Sequence, residues 1–263
     1  MFPSCIARRG VLAGLAALVL LSQPAFAGSF TLTVEPAADT TLFQVAPDNA
    51  LGGADFFNAG TAANSSLNRA LLFFDLTGLL PSGAQITSVL LTLDVVRQPV
   101  GDPESSVFSL RRMSTSWGEG ETYQAEPNSP GLGAPAQLGD ATWNHRYFNE
   151  TPWTVPGGLA GVDFSHELSS TTIVYGLGDA VMFENTPEMV ADVQFWLEHP
   201  ELNFGWMLKT ESEAQRRTAR SFASRESGFG PTLTIDYVVV PEPATWWFLG
   251  LAAGAAWLAR RPR

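Results

Sequence analysis

Most apolar positions in this chain recur with period two or fall in short runs rich in β-branched and aromatic residues. Phe30-Thr-Leu-Thr-Val34 alternates strictly. Arg69–Leu76, Ile86–Val96, Val107–Met113, Gly205–Lys209, Arg220–Ser224 and Thr232–Val238 are further runs of this kind. Clusters of Gly, Pro, Asn and Asp separate them, as at Pro81-Ser-Gly83 and Pro99-Val-Gly-Asp-Pro103. Many short strands punctuated by turn signals predict an all-β fold, a sandwich or jelly roll. One segment has the helical period. Thr186 is placed to cap it and Pro187 falls in its first turn. Met189, Val190, Val193, Trp196 and Leu197 then share a face, and Pro200 ends it. Residues 118–161 are rich in Gly and Pro without periodicity, and read as long loops at one end of the sandwich. No internal repeat or second-domain boundary is visible, so residues 28–239 read as one domain.

The two ends depart from this pattern. Arg8 and Arg9 precede an apolar run from Val11 to Leu21 and then Ala25-Phe26-Ala27, the build of a secretory signal peptide over residues 1–27. That run is too short to span about 30 Å of hydrocarbon, which takes roughly 20 residues. At the other end, Pro241-Glu242-Pro243 is followed by an apolar stretch from Ala244 to Ala259, then by Arg260, Arg261 and Arg263. The stretch reads as a short transmembrane helix. Trp246, Trp247 and Trp257 suit the interfaces, and the arginines would stay cytoplasmic.

Composition narrows the function classes. Between the two signals stand 25 acidic and ten basic side chains, a formal net charge of −15. Nucleic-acid contacts need clustered Lys and Arg, so a nucleic-acid partner is not expected. The single cysteine, Cys5, lies in the signal region, so the domain has neither a disulfide nor a thiol nucleophile.

The Pro241-Glu242-Pro243 element, the apolar stretch and the arginine cluster, in that order over residues 240–263, closely resemble the PEP-CTERM sorting signal. The resemblance implies a Gram-negative bacterium, processing by an exosortase near the PEP motif, and association with exopolysaccharide or biofilm matrix. A second resemblance runs through about residues 30–238. It rests on Ala38-Asp-Thr-Thr41, Gly52-Gly53, Arg69–Leu76, Leu80–Ser88, Thr115-Ser-Trp-Gly-Glu119, Thr142-Trp-Asn144, Trp196 followed by Asn203-Phe-Gly-Trp206, Phe222-Ala-Ser-Arg-Glu226 and Pro231–Tyr237. In this order the pieces look like the DNRLRE, or disaggregatase-related, domain. That family implies an extracellular β-jelly-roll sandwich, with some members acting as carbohydrate-binding modules.

Three groups of residues carry candidate chemistry. Asp39, Asp48 and Asp55, with Asn49 and Asn58, gather in what reads as the first loop region, where oxygen ligands can serve Ca²⁺ and the same residue types also build Asx turns. Trp117, Trp143, Trp153 and Tyr147 lie in or beside the loop-rich region. They are candidates to stack on a pyranose or to plug the core, with Trp153, between Pro152 and Pro156, expected to be the exposed one. Arg225 either clamps a ligand or pairs with a carboxylate such as Asp75 or Asp39. Catalysis has little to rest on. His145, His166 and His199 are 21 and 33 residues apart, and no metalloprotease, nucleophile-elbow or phosphate-loop motif is present. The expected protein is therefore exported to the cell envelope or matrix and binds extracellular polysaccharide without catalysis. A polysaccharide hydrolase or lyase and a purely structural matrix protein with protein partners are the alternatives.

Overall fold

The structure is a computed structural model that describes residues 28–101, 104–123 and 132–239. The expected signal peptide and the sorting segment, with Pro241, Glu242, Pro243, Arg260 and Arg261, lie outside the described residues. No helix among the described residues is long and apolar enough to cross a membrane.

The described residues form fifteen strands and one α-helix. The strands are β1 (Ser29–Val34), β2 (Ala38–Phe43), β3 (Asn49–Ala50), β4 (Phe56–Thr61), β5 (Leu67–Phe73), β6 (Ala84–Arg97), β7 (Ser106–Arg112) and β8 (Ala134–Pro135). After them come β9 (His145–Tyr147), β10 (Thr151–Pro152), β11 (Ser170–Val174), β12 (Ala180–Phe183), β13 (Trp206–Thr210), β14 (Arg220–Ala223) and β15 (Thr232–Val239). The helix α1 spans Pro187–Glu198. Hydrogen bonds run along the path β1-β15-β6-β14-β4-β5-β13-β7-β11, with β12 added on β6 and β2 on β5. The path folds over on itself. Val89, Leu91, Leu93 and Val95 of β6 share one core with Leu72 of β5, Phe108 of β7 and Trp206 of β13. This is an all-β, sandwich-like fold, as the alternation predicts, because side chains of period two present one apolar face from each layer.

A bulge in β6 shows how the alternation survives an irregularity. Ala84 and Ile86 face the core from even positions, and Val89 to Val95 from odd ones. The register shifts between Asp236 and Tyr237, where Asp236 pairs with Ser88 and Tyr237 with Ile86, so Thr87 is the extra residue. Helix-side groups meet amides on either side of this bulge. Ile86 N–H donates to Gln194 Oε1 at 2.9 Å and Val89 N–H to Asn185 Oδ1 at 3.0 Å.

The helix starts and stops where its sequence predicts. Thr186 Oγ1 accepts from Met189 N–H at 3.0 Å, and Pro200 opens a 3₁₀ turn beyond its end. Met189, Val193 and Trp196 are buried, with Trp196 packed against Trp206 at a centroid distance of 4.4 Å.

Two expectations are corrected. The region around Asp39 and Asn58 is not one loop: Asp39 lies on β2 and Asn58 on β4. Nor do the long loops simply gather at one end of the sandwich. Met113, Ala141, Trp143, Trp153 and Phe164 form a second core with Leu42 of β2, Leu71 of β5 and Met207 of β13. The segment therefore lies over the outer face of that layer. Arg69 on β5 fastens it there. Its guanidinium donates to Gly157 O at 2.7 Å, pairs with Glu213 at 2.8 Å and stacks over Trp143 at 5.3 Å.

Candidate functional site

The aromatic residues named from sequence do not form an open platform. Trp153 is only 4% exposed, and its Nε1–H donates to Thr142 O at 2.8 Å. Its expected exposure is overturned because the ring fills the space between the loop cover and the sheet. Trp143 is buried in the same cluster. Trp117 is half-buried with Nε1–H donating to Phe204 O, and Tyr147 is half-buried beneath Arg146.

The three aspartates also separate. Asp48 accepts from Asn144 Nδ2 at 3.0 Å, and Asp55 stands 3.9 Å from Arg97. Asp39 instead meets Glu119 and Glu226, with one oxygen of each within 4.8 Å of the others. Arg225 joins them. Its Nε–H and Nη2–H donate to Glu119 Oε1 and Oε2 at 2.9 and 3.1 Å, and its Nε lies 2.8 Å from Glu226 Oε1. Its backbone N–H donates to Asp39 Oδ2 at 2.9 Å, while Asp39 N–H donates to Glu119 Oε1 at 2.8 Å. Arg225 thus reaches Asp39 through its main chain and not its guanidinium, and Asp75 accepts from Thr77 N–H instead.

Local sequence makes this node possible. Ser224 caps a 3₁₀ turn at Arg225–Ser227, holding Arg225 and Glu226 at the strand end. Gly52 lets the Glu119 loop close in, since a Cβ there would stand 2.2 Å from Glu119 O. Four stretches singled out in the sequence, around Asp39, Gly52, Glu119 and Arg225, therefore converge. Burial pushes the Asp39 carboxyl well above the usual range, partly offset by the Arg225 N–H, and burial also raises Glu119 against its bonds. A Ca²⁺ ion takes six to eight oxygens. Two carboxylates that already share a guanidinium, and a third that accepts from a backbone N–H, fit such an ion poorly.

A feature that sequence reasoning missed lies elsewhere. A groove of about 560 Å³ opens on the outer face where β6, β14, β4 and β5 meet, lined among others by Phe56, Asn58, Asn68, Arg97, Gln98 and Ser221. Alternation on β4 and β14 and a second bulge on β6 produce it. Phe57, Val95 and Phe222 point into the core and Asn58 and Ser221 stand outward, while the register shift at Val96 turns Arg97 outward beside Ser221. Ser221 Oγ–H donates to Asn58 Oδ1 at 2.6 Å. Gln98 Oε1 accepts from Leu177 N–H, which leaves its amide protons for a ligand. The Arg97 guanidinium lies over the Phe56 ring at 4.0 Å. Neither Arg97 nor the Asn68 side chain makes a hydrogen bond within the described residues. Below the groove Arg220 is fully buried. It donates to the carbonyls of Tyr175, Arg217, Ala219 and Glu104, bracing the floor. Single polar positions on four separate strands carry no motif, which is why the sequence did not expose the groove.

Neither a family model nor a curated protein matches the chain.

Proposed function

We propose that this protein is exported, sorted by an exosortase through its C-terminal segment to the cell envelope or extracellular matrix, and binds exopolysaccharide through a jelly-roll-like sandwich without catalysis. The observation that carries the reading is the groove. Neutral amides, a hydroxyl and one guanidinium line it, the donor and acceptor set that sugar hydroxyls require; the guanidinium rests on Phe56 with Asp55 at 3.9 Å and keeps N–H groups to donate. The two resemblances support export and carbohydrate as the partner class. Full-length protein would bind the host's exopolysaccharide, and Arg97→Ala and Asn68→Ala would each weaken binding about tenfold, roughly 1.4 kcal/mol. Binding by neither the wild type nor any glycan on an array would sink the reading.

A polysaccharide hydrolase or lyase has one observation in its favour, the raised carboxylates Asp39 and Glu119. Arg225 locks both, so the proposal ranks second. Release of reducing ends or unsaturated uronates from a candidate polymer would reverse that order. Ca²⁺ would enter the node only if Arg225 swung out. Chelator should therefore leave glycan binding unchanged, and a heat of Ca²⁺ binding to the wild type would contradict this.

A further inference from the structure

The core stripe of the outermost strand pair overruns the core. On β1, Val34, Leu32 and Phe30 share a face, and on β15 Leu233, Ile235 and Tyr237 lie opposite them in the ladder. Val34, Leu233 and Ile235 are buried, and Leu32 packs against them. Phe30, at the end of the stripe, is 48% exposed and stacks on Tyr237 with centroids 5.5 Å apart and ring planes at 25°. Tyr237 is half-buried and packs partly on the core, so the uncovered apolar surface is the outer part of this aromatic pair, chiefly Phe30.

Chain geometry says which partner. Ser29 pairs with Val238, so the first and last described strands end at the same corner. Five peptide units link Val239 to Ala244, where the apolar run begins. Fully extended, they reach about 18 Å at most. With that run in a bilayer, the corner is held at the interface, where aromatic rings are favoured. Neither β1 nor β15 contains a Lys or Arg, so attraction to anionic headgroups has no part in the contact.

We infer that the Phe30–Tyr237 corner of the sandwich rests on the surface of a bilayer while the chain is anchored. The inference rests on the proposed C-terminal anchor. It leaves the groove free to meet polymer, because the Ala84 end of β6 lies at the corner and the groove is at the Arg97 end.

The test uses the exported form, residues 28–263, because residues 1–27 would by themselves bring position 29 to the bilayer; it carries a single fluorophore at Ser29→Cys or at Phe229→Cys, the latter beyond the opposite end of β15. The protein is reconstituted into phosphatidylcholine vesicles carrying a headgroup quencher. The vesicles should float with the protein, and quenching at position 29 should exceed that at 229 at least threefold. Phe30→Ser with Tyr237→Ser should float equally and lower quenching at 29 at least twofold, the tether alone still keeping the corner near the surface; unchanged quenching at 29 overturns the inference. Phe30→Ser alone serves if the double variant does not fold. Flotation with equal quenching at both sites overturns the inference and leaves the anchor standing. No flotation overturns both. Shielding of position 29 without lipid that grows with protein concentration would assign the corner to a second copy and overturn the inference.

Discussion

The β2–β5–β13–β7 layer is buried on both faces, by two different kinds of structure. Its inner face, with Leu72, Phe108 and Trp206, meets strands whose register is set by backbone ladders. Its outer face, with Leu42, Leu71 and Met207, meets an irregular segment held by tryptophans, Phe164 and Arg69. Neighbours along one strand, Leu71 and Leu72, are both fully buried, yet they belong to different cores. Burial alone thus does not distinguish a framework from a cover. The cover has few ladder bonds, so its stability should be local, whereas the inner core should fail as a unit.

Substitutions on the two faces can break that distinction. The largest effect is expected for Trp206→Ala, which empties the centre of the inner core and strips a hydrogen bond from buried Asp192. A loss of about 3–5 kcal/mol and a single cooperative drop in a thermal melt are expected. Trp153→Ala should cost about 3 kcal/mol, the low end for a buried tryptophan. Amide exchange should speed up across residues 140–164 and stay unchanged in β6 and β15. A global melt matching that of Trp206→Ala would show the cover to be part of the framework. Arg69→Ala removes the fastening and leaves Glu213 and the Gly157 carbonyl short of a donor, at about 1–3 kcal/mol. Its exchange pattern should resemble that of Trp153→Ala.

The smallest effect concerns the acidic node. Asp39 has a raised folded pKa, so the native state binds more protons than the unfolded chain above about pH 4. The Asp39 contribution is therefore fully present below the unfolded value and lost as pH rises through the folded one. Asp39→Asn should raise the melting temperature at pH 7 by a few degrees, corresponding to about 1 kcal/mol, and change it little at pH 4. An equal shift at both pH values would show that the carboxyl titrates normally.

Large apolar residues in alternation made β6, β7, β13 and β15 legible, and local capping made α1 legible. The polar strands were not. Ala38-Asp-Thr-Thr41 has turn-forming composition, yet Asp39, Thr40 and Thr41 are buried, Asp39 beneath Glu119 and Arg225 and Thr41 against β4. Thr41 Oγ1 accepts from Asn58 N–H, a bond between β2 and β4 that no local signal encodes. The node was half legible. Asp39 and Arg225 were singled out, but Glu119 stands 106 residues from Arg225 along the chain, and only tertiary packing pairs them. Trp153 misled because flanking prolines mark irregular backbone and say nothing of what the ring meets.

The 14-residue strand β6 pairs with β12, β14 and β15, and every one of these lies downstream of it. Strand β1 likewise waits for β15, some 200 residues later. As the chain is synthesised from its N-terminus, its longest strand finds no ladder partner until residue 180, and the sheet cannot close before residue 239. Such non-local pairing slows folding. Only the β2–β5–β4 ladder can form early, by residue 73, and the last strand completes the domain.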